Sequence, residues 1–179
     1  MNEKYDLPPG FKIVSGAQSG ADRAGLDWAI AHSVRHGGWC PKGRRAEDGA
    51  IDPRYDLTET PSSNYLQRTE WNVRDSEVTL IFTLTDALDG GSKRTAACAD
   101  AMGRAWMHFR PGVHPKFVAS FLRHRAACVV NIAGKRESAA PGIHALVYSV
   151  LSQALEPSSA FRTGARIFSL EAARRRSNG

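Results

Sequence analysis

Apolar and polar positions alternate between two rhythms along this chain. Short apolar runs closed by glycine or proline turns read as buried strands, and stretches with apolar residues three or four apart read as helices. Phe11 to Ala17 is such a run, followed by a predicted helix from Asp22 to Ser33 that offers Ala24, Leu26, Ala29 and Ile30 for packing. Val34 to Trp39 is weakly strand-like, and Cys40 to Gly49 is a loop broken by a proline and two glycines. Ser62 to Arg74 is predicted helical, with Pro61 in its first turn, Thr60 as cap, and Leu66 and Val73 two turns apart on one face.

The second half repeats this grammar. Val78 to Leu84 is a nearly continuous apolar strand, as expected of one buried on both faces. A glycine turn then leads into an alanine-rich helix from about Ser92 to Met102. Arg104 to Phe109 is a fourth strand, Pro115 to Arg125 a helix carrying Phe117, Val118, Phe121 and Leu122, and Ala127 to Ile132 a fifth strand. Ile143, Leu146, Val147, Val150 and Leu151 fall at helical spacing and mark an amphipathic helix. Strands alternating with helices imply right-handed βαβ units, so the chain is predicted to form a Rossmann-like three-layer α/β sandwich around a mainly parallel sheet of five or more strands.

Ligands of such sheets sit beyond the carboxyl ends of the strands. Four unusual loops follow strands and are expected to share that edge: Gly16 to Arg23, Trp39 to Asp48, Thr83 to Thr95, and Asn131 to Gly142. In the first, Gly16 and Gly20 let the backbone approach a ligand while the N–H groups of a starting helix favour an anion. The spacing G-x-x-x-G lacks the third glycine of a dinucleotide fingerprint. The second loop offers Lys42, Gly43, Arg44 and Arg45, the third Gly90, Gly91, Ser92 and Thr95, and the fourth Arg136 and Ser138. Arginine suits bidentate capture of phosphate and lysine a point contact. Surface roles compete for several of these: Arg23 pairing with Asp27, Arg44 and Arg45 with Glu47 and Asp48, and Glu137 capping a helix or pairing with Arg136. The convergence of four loops favours a cleft for a phosphorylated or otherwise anionic small molecule.

Composition narrows the classes. The 179 residues suit one domain, with 42% hydrophobic and 23% charged residues, and no apolar run approaches the roughly 20 residues of a membrane span. The start has no signal-peptide layout, which makes the cytoplasm the default location. Of the net charge of +6, half comes from residues 156–179, where five arginines face Glu156 and Glu171. A domain over residues 1–155 with a basic tail over 156–179 is therefore predicted, the tail as a solvated end, and nucleic acid is set aside as a partner. Cys40, Cys98 and Cys128 are widely spaced, so no disulfide framework or metal site is expected. Cys40 lies in the basic loop, where cations would stabilise a thiolate; packing is its other role.

Several strings carry a family resemblance: GAQSGADR from Gly16, HGGWCPKGRRAEDG from His36, TETP from Thr58, RTEWNVRDS from Arg68, and NIAGKRES from Asn131 with APGI from Ala140. Over about Ile13 to Leu155 the chain resembles the molybdenum carrier family, a Rossmann-like relative of the lysine-decarboxylase-like phosphoribohydrolases. That resemblance implies an oligomeric binder, dimer or tetramer, of molybdenum cofactor (molybdopterin), handing it to a molybdoenzyme acceptor. By position, Gly16, Gln18, Ser19, Gly20 and Arg23 would meet one anionic part of the ligand. Gly90, Gly91, Ser92 and Thr95 would meet another, and Lys42 and Arg44 would close the pocket. Lys93 and Arg94 add charge at the lip of the third loop, where the family tends to have small residues.

Two other functions compete. A phosphoribohydrolase acting on a nucleoside monophosphate needs a placed carboxylate to handle protons and stabilise an oxocarbenium ion. The helix Thr95-Ala96-Ala97-Cys98-Ala99-Asp100 has no glutamate, and only Asp100 stands in. A sensor of a nucleotide-derived signal rests on the tail and fold alone. A carrier without catalytic residues or a bound metal ligand set is the expected function.

Overall fold

The computed structural model describes residues 3–157, so the predicted tail over 156–179 lies outside the described residues from position 158 onward. Eleven strands and five helices follow in the order β1 (Tyr5–Asp6), β2 (Lys12–Val14), α1 (Ala21–Ala31), β3 (Arg35–Gly37), β4 (Trp39–Cys40), β5 (Arg45–Ala46), β6 (Gly49–Ala50), β7 (Thr58–Glu59), α2 (Tyr65–Arg74), β8 (Val78–Phe82), α3 (Gly90–Ala101), β9 (Ala105–Phe109), α4 (Lys116–Arg125), β10 (Val129–Gly134), α5 (Ile143–Ala154) and β11 (Leu155–Glu156).

Five strands form one wholly parallel sheet in the order β3-β2-β10-β8-β9. Helices α1, α5 and α4 pack together along one face and α2 with α3 along the other, which makes the Rossmann-like sandwich anticipated from the sequence. Every residue of β8 is buried, as its unbroken apolar run requires. Leu80, Phe82, Val130 and Ile132 join Leu26, Trp28, Val147 and Leu151 in the core. Gly25 brings α1 so close to the sheet that a Cβ there would meet Ile132 at 2.8 Å.

Strand order carries a feature that periodicity did not show. Counted along the chain, the five strands lie in the order second, first, fifth, third, fourth. If the last strand is moved to the front of the chain, this becomes 3-2-1-4-5, the Rossmann order. The chain is thus a Rossmann sheet cut and rejoined elsewhere. The first and last strands of the described residues meet accordingly: β1 and β11 pair in parallel, with Tyr5 beside Leu155 and Asp6 beside Glu156. The predicted domain edge at 155 therefore falls inside a strand pair.

Several boundaries move. The first strand is only Lys12–Val14, because the chain bends away at Ser15 into the turn. α2 starts at Tyr65 rather than near Ser62: Asn64 is its cap, accepting from Leu66 N at 2.9 Å. Thr60, expected as the cap, is buried and donates to the Ser62 carbonyl at 2.8 Å. The loop over 40–49 contains the small antiparallel pair β5/β6, and Trp39–Cys40 pairs with β7. Ile30 and Phe117, placed on packing faces by their spacing, are exposed. Their helices are covered by the sheet on only one side, and these two residues point to the other.

Candidate functional site

At the carboxyl edge of the sheet, where β10 and β8 lie side by side, a cleft of about 470 Å³ opens between three loops and α2. This is the place where Rossmann strand order reverses, between strands 1 and 4 of the unpermuted count. The first loop contributes Gly16 and Gln18, the third Gly90, Gly91, Ser92, Arg94 and Thr95, and the fourth Lys135, Arg136, Ser138 and Ala139. Buried Asn131 lines it from β10 and is tied to Thr79 of β8, its Nδ2 donating at 3.2 Å.

The first turn of α3 faces the cleft without a side-chain cap. Ser92 and Thr95 turn their hydroxyls back onto the carbonyls of Asp89 and Gly91, at 2.7 and 3.0 Å, which leaves the helix start available to an anion. Four cationic side chains line the cleft (Arg68, Arg94, Lys135, Arg136) against a single carboxylate, Asp22. Lys135 forms an ion pair with Asp89 at the lip.

Helix α2 is the wall that the sequence reading missed. Tyr65, Leu66, Arg68, Thr69 and Asn72 line the cleft from one helical face. Tyr65, Arg68, Thr69 and Asn72, at i, i+3, i+4 and i+7, form a polar stripe, and that spacing was the available signal. Arg68 Nη1 is 2.5 Å from Asp22 Oδ2, and both side chains are largely buried. The Tyr65 ring has the Arg68 and Arg136 guanidinium carbons 5.9 and 5.6 Å from its centroid.

The remaining predicted residues lie away from the cleft lining. Gly20 adopts φ +80°, and a Cβ there would stand 2.6 Å from Glu137 N and the Lys135 carbonyl; the glycine lets the first and fourth loops touch. The first amide of α1, on Ala21, donates to that same carbonyl at 3.1 Å, so this helix start is spent on protein. Ser19 binds Glu47 and accepts from Glu137 N at 3.3 Å. Arg23 pairs with Asp48, with Nη2 3.0 Å from Oδ1. Its anticipated neighbour Asp27 is held instead by Arg54, Tyr55 and His144, at 2.8, 2.7 and 2.8 Å.

The second loop does not close the cleft. Arg44 donates to four backbone carbonyls, those of Ile51, Leu57, Asp52 and Tyr55. Gly43 N donates to Glu59, and Lys42 N to the Ser62 carbonyl at 3.1 Å. The loop's contribution is acidic. Glu47 accepts from Ser19 Oγ in the first loop and from Ser138 Oγ in the fourth, the latter at 2.6 Å, while its own amide donates to Gln18 Oε1 at 2.8 Å. It fastens three loops together behind the cleft. Glu137 is a helix cap, accepting from Gly142 N and His144 N at 2.6 and 3.0 Å at the start of α5. Cys40 is fully buried and its thiol pKa is raised by that burial, so it packs and is not activated.

The hydroxyls of Ser138 and Ser19 hold the Glu47 carboxyl below its usual pKa. A carboxylate depressed in the folded state stabilises the fold above its unfolded pKa of about 4.3, and this contribution is lost as pH falls through the folded value. Unfolding midpoints are therefore expected to drop below about pH 4.3. Glu47→Gln is expected to be less stable at neutral pH and to lose less on acidification. The slope that remains belongs to Asp48 and Asp75, which are depressed in the same direction by Arg23 and Arg74. Denaturant titrations from pH 7 to pH 3 compare the two chains; parallel curves would show that Glu47 makes no such contribution.

The model of the circularly permutated YpsA SLOG family matches residues 13–155. Among solved structures, the chain is similar to a crystal structure from Syntrophus aciditrophicus SB described as "Putative molybdenum carrier protein". The two are 39% identical with a TM-score of 0.78, over 83% of this chain and 97% of that one. No curated protein matches the chain. Among the described residues no helix is long and apolar enough to cross a membrane, and no group of side chains is arranged to hold a metal ion.

Proposed function

Because the chain belongs to the circularly permutated YpsA SLOG family, we propose that its cleft binds and carries a small phosphorylated anion, molybdenum cofactor or a nucleotide-like relative, without turning it over. The family's description names a circular permutation, and the strand order and the β1/β11 pair support that reading. The described likeness to a molybdenum carrier points the same way.

The observation that carries the proposal is the donor set of the cleft. Cations, amides and an uncapped helix start outnumber one carboxylate, and neither cysteine nor histidine is among the lining residues. Such a set suits phosphate and oxo oxygens held through N–H donors rather than a metal ligated by protein. Two buried donors, Gln18 Nε2 and Arg68 Nε, have no protein partner, which is the condition in which a ligand oxygen gains most. A cleft of about 470 Å³ is within the range of small-molecule sites.

The residues proposed to meet the ligand are Gly16, Gln18, Gly90, Gly91, Ser92, Thr95, Arg136 and Ser138, with Arg94 and α2 added from the structure. A hydrolytic role has less support. Asp22 is neutralised by Arg68, while Asp100, the acid the sequence offered, is outside the cleft lining and accepts from Trp106 Nε1 at 2.7 Å. A self-associating cytoplasmic carrier that releases its cargo to a molybdoenzyme completes the reading.

Anaerobic loading with molybdenum cofactor, followed by native mass spectrometry and molybdenum analysis, tests it. Retention by the wild type and a loss of about tenfold or more for the double charge reversal Arg94→Glu with Arg136→Glu are expected, a change of about 1.4 kcal/mol in binding. Equal retention by both chains moves the cargo away from the cleft. Release of free base from AMP would overturn the carrier-only assignment.

A further inference from the structure

Arg68 belongs to the RTEWNVRDS string, to which the sequence reading gave no site role. Its guanidinium lies directly across Gly16, where any Cβ would overlap it, so the glycine turn of the first loop is the bed of an arginine. Nη1 is engaged by Asp22 at 2.5 Å, and Nε is buried with no partner. Beside it in the cleft, Gln18 is only 4% exposed. Its Oε1 accepts from Ser19 N and Glu47 N at 3.1 and 2.8 Å, while Nε2 has no partner.

We propose that Arg68 and Gln18 form a dedicated seat for one tetrahedral oxyanion of the ligand, with Asp22 as a built-in counter-anion that holds Arg68 in place until the ligand arrives. The proposal rests on the reading of the cleft as an anion site and names the residues that grip. A planar guanidinium has two edges, and a bidentate oxyanion takes one whole edge through Nε and Nη2. Asp22 occupies Nη1, and Nε on that other edge has no protein acceptor. Gln18 is fixed by what its carbonyl oxygen accepts, so its amide nitrogen is a preset third donor. Burying donors without partners costs stability, and an incoming oxygen removes that cost. Asp22 serves two ends: it positions the guanidinium, and its negative charge opposes any anion that enters, which lowers the affinity of the seat.

The same seat would take a phosphate ester or a free oxyanion. Titration calorimetry with inorganic phosphate, molybdate and AMP on the full chain separates the sources: the ester arm reports a phosphorylated ligand, the inorganic arms a free oxyanion. For whichever probe binds the wild type, Arg68→Gln is expected to weaken affinity tenfold or more. Gln18→Glu, which keeps the accepting oxygen and replaces the donor, is expected to do likewise. Asp22→Asn keeps an oxygen for Nη1 but removes the opposing charge, and is expected to tighten binding three- to tenfold. Arg68→Lys, which retains charge without the fork, reports whether bidentate geometry matters, and should recover less than half of the loss. Thermal midpoints within a few degrees of wild type confirm that each variant is folded. Wild-type affinity in Arg68→Gln, weakening in Asp22→Asn, or no binding of any of the three probes to the wild type would each overturn the proposal. Arg68-dependent anion binding without cofactor retention would leave this seat standing and sink the carrier reading. Cofactor retention that ignores Arg68→Gln would do the reverse.

Discussion

Gly20→Ala is expected to lower the unfolding free energy by about 3 kcal/mol or more, which for a domain of this size moves the melting midpoint down on the order of 10 °C. Two independent costs combine. The backbone at Gly20 has φ +80° and ψ −126°, a region that residues with a Cβ rarely enter, and strain there costs about 1–3 kcal/mol. The new methyl would also stand 2.6 Å from Glu137 N and the Lys135 carbonyl, and 2.8 Å from the Arg136 carbonyl carbon. These are backbone atoms of the fourth loop, so relief requires moving the segment that carries Arg136 and Ser138 into the cleft. Gly91→Ala is the control: a Cβ there meets nothing within 4 Å and the residue lies in α3, so stability is expected to stay the same or rise slightly. Thermal and urea unfolding of the two variants side by side make the comparison. Equal midpoints would show that the loop contact at Gly20 relaxes freely.

Arg44→Ala is expected to cost about 2–4 kcal/mol, with Arg44→Lys recovering little of it. The guanidinium donates to the carbonyls of Ile51, Asp52, Tyr55 and Leu57 at distances of 3.0 to 3.3 Å, so one side chain shapes the segment over 51–57. An ammonium is a point donor and cannot reach carbonyls spread around a planar fork. Tyr55 is the buried anchor of this segment and donates to Asp27, so its ring loses support when the loop loosens. Urea unfolding measures the loss, and faster proteolytic cutting within 44–57 locates it. Anion affinity at the cleft is expected to stay within about twofold of wild type, because Arg44 is not among its lining residues. A selective loss of affinity with unchanged stability would return Arg44 to the pocket-closing role that the sequence suggested.

At these two positions the chemistry expected of the residue type is directed at partners within the protein. Gly20 does permit a close approach, but of the 135–137 backbone. Arg44 does bind several oxygens, but those of its own loop. Glu47 and Asp48, weighed as surface partners of Arg44 and Arg45, bind across the loops to Ser19, Ser138 and Arg23. A short motif records donors and acceptors; their partners depend on which loops the sheet brings together.

The sequence by itself determined the parts whose causes are local. Unbroken apolar runs such as Val78 to Phe82 must be buried on both faces, glycine turns must interrupt them, and stripes at helical spacing must pack. The alternation of strand and helix then leaves a covered parallel sheet as the stable arrangement, with loops gathered at its carboxyl edge. Tertiary structure alone decided the order of the strands, the pairing of β1 with β11, and the identity of the cleft wall. Arg68 and Gly16 are 52 positions apart and touch only because α2 packs beside the carboxyl end of β2; no period or spacing within either segment encodes that meeting. Contacts between distant segments are selected by the burial of the whole core, so the residues that complete the site become visible only once the layers are assembled.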